Sequence, residues 1–370
     1  MQSSKEYIDQ YLVTDITRMF GIKHPIVQAG MNVAAGPELA AAVTNAGGLG
    51  VIGGLNYTPS MLREMIQELK DLLHDKKAPF GVDLLLPKVG EGARKTNYDY
   101  TKGQLADLID VIIEEETKLF VSAVGVPPKW VIEKLHNHGI LVANMVGKPS
   151  HAKKASSLGV DIICAQGSSG GGHTGDIDTV VLIPAVVDIC KPLGIPVLAA
   201  GGIYDGRGLA AMLSLGASGV WVGTRFVACE EANAPPIHKS AILETNHDET
   251  FRTLVFTGRP LRIGPNEYAK DWESKRRNKM EKLLSEGKIP CEYDLEAKEK
   301  GNFDAEDIEC LFKFANKPTL PYPHLMGQTA GSIQDIKTAK EIVEDMVLNS
   351  INILNKVNKN RIDYINKSKL

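Results

Sequence analysis

Residues 196–226 read PVLAAGGIYDGRGLAAMLSLGASGVWVGTRF. Two short apolar runs, PVLAA and GVWV, flank an amphipathic stretch, GRGLAAMLSLG, and each run stops at glycine. A run that is apolar throughout, without a polar residue at every second place, fits a parallel strand buried on both faces. Strand, helix and strand in this order make one βα repeat and the start of the next.

The same unit recurs upstream. Further apolar runs are PIVQAGM from Pro25, LGVIGG from Leu49, FGVDLLL from Phe80, LFVSAVG from Leu119, ILVANMVG from Ile140 and VDIICAQG from Val160. With the two runs above they make eight. Amphipathic segments such as GPELAAAVTNAG, MLREMIQELKDLL and PPKWVIEKLHNHG separate them. Eightfold alternation predicts an α/β fold, a (β/α)8 TIM barrel with its eight strands within residues 1–229. The alternative is a doubly wound open sheet, since alternation alone does not show closure. The lack of an early GxGxxG with a downstream acidic residue counts against a dinucleotide-binding version of it.

Beyond Phe226 the pattern changes. Residues 230–322 are charged and punctuated by proline, which predicts a mainly helical insertion, a lid over the barrel mouth. Residues 323–358 return to the barrel, and SIQDIKTAKEIVEDMVLNSINIL supplies the last outer helix. Residues 359–370 are expected to form an exposed tail. It ends in Ser368-Lys369-Leu370, a receptor-read peroxisomal address. In a eukaryotic cell this predicts peroxisomal residence, with the import receptor as partner, and otherwise a cytoplasmic protein.

Composition narrows the classes. A net charge of −3 over 370 residues gives no reason to expect a nucleic-acid partner. The five cysteines show neither CxxC nor Cys/His ligand spacing, so neither a disulfide framework nor a metal site is expected. Cys164, inside an apolar run, reads as a core residue. The first fifteen residues lack a signal-peptide core, and no apolar run reaches membrane-spanning length.

In βα barrels chemistry gathers where the strands end. The strand ends here carry Gln28-Ala29-Gly30-Met31, Asp83, Lys148, the loop QGSSGGGHTGD from Gln166, Gly201-Gly202 and Gly223-Thr224. Glycines after the seventh and eighth strands are the usual place for a phosphate in this fold, held by backbone N–H groups. The loop from Gln166 has many glycines, which suits close approach of backbone to a ligand. Its His173 has little local packing and can serve as a proton acceptor near neutral pH. The plainer role is a hydrogen bond to a cofactor. Lys148 is as readily a solvated loop residue as a charge at the site.

AGMNVAAGPELAAAVTNAGGLGVIGG, PFGVDLLLPKVGEGARKTNYDYTKGQL, AQGSSGGGHTGDIDTVVLIPAVVD and VLAAGGIYDGRGLAAMLSLGASGVWVGTRF together resemble the nitronate monooxygenase family, formerly 2-nitropropane dioxygenase. The resemblance runs from about residue 20 to 230 and resumes at MGQTAGSI. It implies an FMN-containing barrel that oxidises alkyl nitronates, in some members neutral nitroalkanes, with O2 to a carbonyl compound and nitrite. His173 then matches the catalytic base. Gln166, Gly171 and Gly172 match the stretch lining the flavin, and Gly201, Gly202, Gly223 and Thr224 the phosphate cradle. Ala29, Gly30 and Met31 match the backbone beside the ring. Asp83 departs from the asparagine of many relatives, and an ionised carboxylate beside a flavin is electrostatically awkward; a facing cation or backbone donor is one remedy. The competing expectations are a flavin-dependent enoyl-thioester reductase using NAD(P)H and a flavin-binding protein without turnover.

Overall fold

The computed structural model describes residues 12–88, 91, 93–300 and 322–367, with side chains described as far as residue 360. Eight parallel strands form the ring: β1 (Ile26–Gln28), β2 (Gly50–Gly53), β3 (Phe80–Leu85), β4 (Leu119–Ala123), β5 (Leu141–Val146), β6 (Ile162–Gln166), β8 (Val197–Ala200) and β9 (Gly219–Val222). A two-residue strand, β7 (Gly172–His173), lies outside it. The strand order is β1-β9-β8-β6-β5-β4-β3-β2. A bridge between Val27 and Leu49 joins the two ends, with Gln28 N donating to Leu49 O at 3.0 Å and Leu49 N to Ile26 O at 2.9 Å. An open sheet would leave two unpaired edges. The ring is a nearly closed barrel, as the alternation predicts.

The strands are mainly apolar because both faces are buried. Val27, Val51, Val121, Ala143, Cys164, Leu198 and Trp221 fill the barrel interior. Their chain neighbours Ile26, Ile52, Phe120, Val142, Ile163, Ala199 and Val220 face the helices. Some contacts are closer than a side chain allows. A Cβ on Gly50 would stand 1.9 Å from Ala40 O, so helix Pro37–Asn45 lies directly on the β2 backbone.

The segment after β9 holds helices Pro236–Glu244, Glu267–Ser274, Arg277–Glu286 and Pro290–Lys300. It also holds strands that the helical reading did not anticipate. β10 (Phe251–Thr253) and β11 (Leu261–Ile263) form an antiparallel pair, and β11 pairs in turn with β7, setting Leu261 against His173. Three-residue strands leave almost no periodicity to read, and their partner lies far away in the chain. Val255, Ile263, Tyr268, Trp272, Met280 and Leu283 give this segment a core of its own.

The last helix spans Ala339–Lys367. It therefore continues past residue 358, where the apolar periodicity suggested a tail. No glycine or proline occurs between Ala339 and Lys367, so nothing local stops propagation once the buried half has nucleated the helix. Ser368-Lys369-Leu370 and Cys310 lie outside the described residues. Among the described residues no helix is long and apolar enough to cross a membrane, and no cluster of His, Cys, Asp or Glu could hold a metal ion.

Candidate active site

The C-terminal ends of the strands open into one cavity of about 1780 Å³. The barrel brings Ala29, Gly30, Met31, Asp83, Lys148, Gln166, Gly171, Gly172, His173, Gly201, Gly202, Gly223 and Thr224 to its wall, whereas Gln28 is fully buried with its carboxamide on the Val51 backbone.

One side of this wall is a backbone cradle. Gly201 and Gly202 follow β8 with φ of 91° and 79°, left-handed conformations that favour glycine. Gly223 ends β9 and leads into the short helix Thr224–Val227. Among the described residues, the amides of Gly202, Ile203, Gly223 and Thr224 donate to no protein acceptor. Backbone N–H groups left open at two adjacent βα turns are a ready-made anion site. Thr224 Oγ1 accepts from Gly327 N at 2.9 Å, and its own proton stays free to donate. The glycine loop closes the cradle from the side. Gln328 N donates to Ser169 O at 3.0 Å, and a Cβ on Gly171 would meet Gly327 N at 2.7 Å.

His173 stands on β7 and lines the same cavity. Its Nε2 is 3.1 Å from Thr257 Oγ1, and Thr257 Oγ1 donates to Arg259 O at 3.3 Å. Thr257 Oγ1 also accepts from Arg259 N at 3.4 Å. With Nε2 engaged by Thr257, Nδ1 is the ring nitrogen left to face another partner. Burial, and after it the charge of Arg259, lowers the imidazole pKa to about 4. His173 is thus neutral across the physiological range.

Thr257 and Arg259 belong to the insertion and were not legible as site residues. Arg259 is itself held by two bonds to Asn97 Oδ1, at 3.0 and 2.7 Å, from the loop after β3. Asn144, on β5, was also missed. Its Nδ2 donates to Ser122 O and Gly125 O, while its Oδ1 is buried without a partner and the residue lines the cavity. A lone asparagine within ILVANMVG was the only available signal. Around the wider cavity stand Lys88, Arg94, Lys148, Lys154, Arg259 and Lys298, although the whole chain is slightly acidic.

A model of the nitronate monooxygenase family matches residues 14–349. The chain belongs to that family. Its members are oxidoreductases, and this chain shares 36% identity with a probable nitronate monooxygenase of Staphylococcus saprophyticus, over 70% of this chain and 80% of that one. It is also 33% identical to a 5-hydroxy-7a-methyl-1-oxo-octahydro-1H-indene-4-carboxyl-CoA dehydrogenase of Mycobacterium tuberculosis, over 92% and 96% of the two chains. Among solved structures, FabK from Thermotoga maritima superposes with a TM-score of 0.74 at 31% identity, covering 94% of this chain and 99% of that one. A nitroalkane oxidase from Streptomyces ansochromogenes superposes with a TM-score of 0.71 at 25% identity, covering 92% and 99%.

Proposed function

We propose that the protein is an FMN-dependent oxidoreductase that converts alkyl nitronates, with O2, to a carbonyl compound and nitrite. The observation that carries this reading is the pairing of an open amide cradle with a neutral, Thr257-anchored His173 across one cavity of the family barrel. The amides of Gly202, Ile203, Gly223 and Thr224 suit a terminal phosphate monoester, and therefore FMN. Gln166, the Gly171-Gly172 backbone and Ala29-Gly30-Met31 would flank the ring. Bound there, the flavin supplies the electron acceptor and the reaction with O2.

The chain's own residues then orient substrate and manage one proton. A preformed nitronate is already an anion and needs no base. A neutral nitroalkane must lose its α-proton, and Nδ1 of His173 would take it. An imidazole with a pKa near 4 is a weak base for a carbon acid, so the nitronate is the better substrate.

A second reading is favoured by one observation, the size and charge of the cavity. About 1780 Å³ ringed by lysines and arginines exceeds the needs of a small nitronate beside FMN. It suits an acyl thioester carrying a phosphorylated nucleotide tail, and the mycobacterial relative is named for such a substrate.

The test begins with the purified protein. Mass spectrometry of the released cofactor is expected to show FMN, one per chain; FAD or no flavin overturns the cofactor assignment. Steady O2 uptake with propionate-3-nitronate supports the first reading. Rapid anaerobic bleaching of the flavin by NADH or by a saturated acyl-CoA, without such uptake, replaces it with the second.

Peroxisomal residence is proposed from Ser368-Lys369-Leu370 for a chain expressed in a cell with peroxisomes. An N-terminally fluorescent fusion is expected to give punctate signal that becomes diffuse on deletion of Leu370. Diffuse signal from the intact fusion removes the proposal.

A further inference from the structure

Asp83 occupies the cavity end of β3, in register with Gly53 on β2 and Val121 on β4. It is 3% exposed and lines the cavity wall. Its Oδ1 is buried without a hydrogen-bond partner. Its other oxygen, Oδ2, lies where a Cβ on Gly30 would come within 2.8 Å, and its own Cβ within 2.4 Å of that position. Gly30 therefore lacks a side chain because Asp83 fills the space. Neither the facing cation nor the backbone donor that would rescue an ionised carboxylate is present among the described residues.

The elements packed against Asp83 are the turn 29–31, β2, β4 and, across the interior, β6. Among the described residues they bring one further titratable group, the Cys164 thiol, itself pushed up by burial and then by Asp83. Stripped of water and given no partner, a carboxylate takes up a proton instead of paying the full desolvation cost. Burial accordingly holds the Asp83 carboxyl well above the usual carboxylate range. A neutral carboxylic acid carries an O–H donor beside a C=O acceptor, the same pattern as the carboxamide of asparagine. A flavin's pyrimidine ring carries the complement, an imide N–H between two carbonyls.

We propose, resting on the flavin reading above, that Asp83 binds the flavin as a neutral acid, donating its O–H to a ring carbonyl and accepting the adjacent imide N–H. The ionised form has no donor to offer and sets an anion against that carbonyl. FMN affinity is therefore full while Asp83 is protonated and falls about tenfold per pH unit above its pKa in the free protein.

The experiment titrates cofactor-free protein with FMN by fluorescence quenching from about pH 5 to 10, for the native chain, Asp83→Asn and Asp83→Leu. Asparagine keeps donor and acceptor without a titrating proton, so it also controls for ionisation of FMN itself. The native chain is expected to lose affinity at a lower pH than Asp83→Asn. Asp83→Leu is expected to bind about 10–100-fold more weakly at every pH, the cost of leaving two buried polar partners unsatisfied. Superimposable native and Asp83→Asn profiles overturn the proposal, as does undiminished binding by Asp83→Leu. A difference infrared spectrum, native minus Asp83→Asn at pH 7, is expected to show a protonated carboxyl C=O band, and its absence overturns the inference while leaving the flavin reading intact. If no variant binds FMN at any pH, the flavin reading falls as well.

Discussion

In His173→Asn, turnover of a neutral nitroalkane is expected to fall about 10²–10⁴-fold, the range for loss of a general base, while turnover of the preformed nitronate falls far less. The split follows from where the proton is. The nitroalkane must give up its α-proton at the active site, and the nitronate has already done so. The Thr257 bond at 3.1 Å holds the imidazole in place, and removing the ring removes the nitrogen proposed to take the proton. The pH profile carries the same information. A base whose pKa is lowered to about 4 is competent above that value and protonated below it. The native enzyme should then show no loss of nitroalkane kcat/KM attributable to His173 between about pH 5 and 8, and a loss as pH falls through about 4. Equal losses on both substrates in His173→Asn would show that the ring binds and does not abstract. Thr257→Val is a milder companion: it frees the imidazole to rotate and should reduce nitroalkane turnover with the nitronate again spared.

Asp294→Ala is expected to destabilise the insertion by about 1–3 kcal/mol, the cost of removing a buried acceptor shared by several donors. Asp294 is fully buried. Its Oδ2 accepts from Tyr268 Oη at 2.7 Å, Trp272 Nε1 at 3.0 Å and Arg276 Nη1 at 3.2 Å. The Arg276 guanidinium lies 3.7 Å over the Trp272 ring, so the same cation also organises the aromatic core. Alanine removes this shared acceptor and leaves a void beneath the aromatic pair, while Arg276 keeps its bond to Asp271 Oδ2 at 3.2 Å. The consequence reaches the active site, because β11 holds β7, and the same segment supplies Thr257 to His173. Limited proteolysis should cleave Asp294→Ala within residues 230–300 well before the barrel, and thermal unfolding should start several degrees lower. Native-like protease resistance and an unchanged melting curve would falsify this account of the insertion.

Much of this was written locally. The eight strands were legible because burial on both faces imposes a mainly apolar run, a mark that each segment carries within itself. The cradle was legible for a similar reason. Gly201, Gly202 and Gly223 stand at strand ends where backbone must turn sharply or approach a ligand, and glycine at such a place is a local requirement. What escaped the sequence is what depends on two distant segments at once. Closure of the ring rests on Leu49 meeting Val27, where an open sheet would have had the same pattern. The three-residue strands β10 and β11 have too little length to show a period, and their pairing with β7 brings together residues more than eighty positions apart. Thr257 became His173's partner only through that pairing.

Asp83 shows the division most sharply. The sequence displayed an aspartate at a strand end and therefore a group that can ionise at the cavity wall. Its state is decided by burial of the carboxyl, by Gly30 yielding the space and by the absence of any described cation near it. A residue type names a group that can ionise, and the pattern along the chain names the element that carries it. Whether the group does ionise is set by the solvent it loses, and that loss exists only once the eight strands have closed around it.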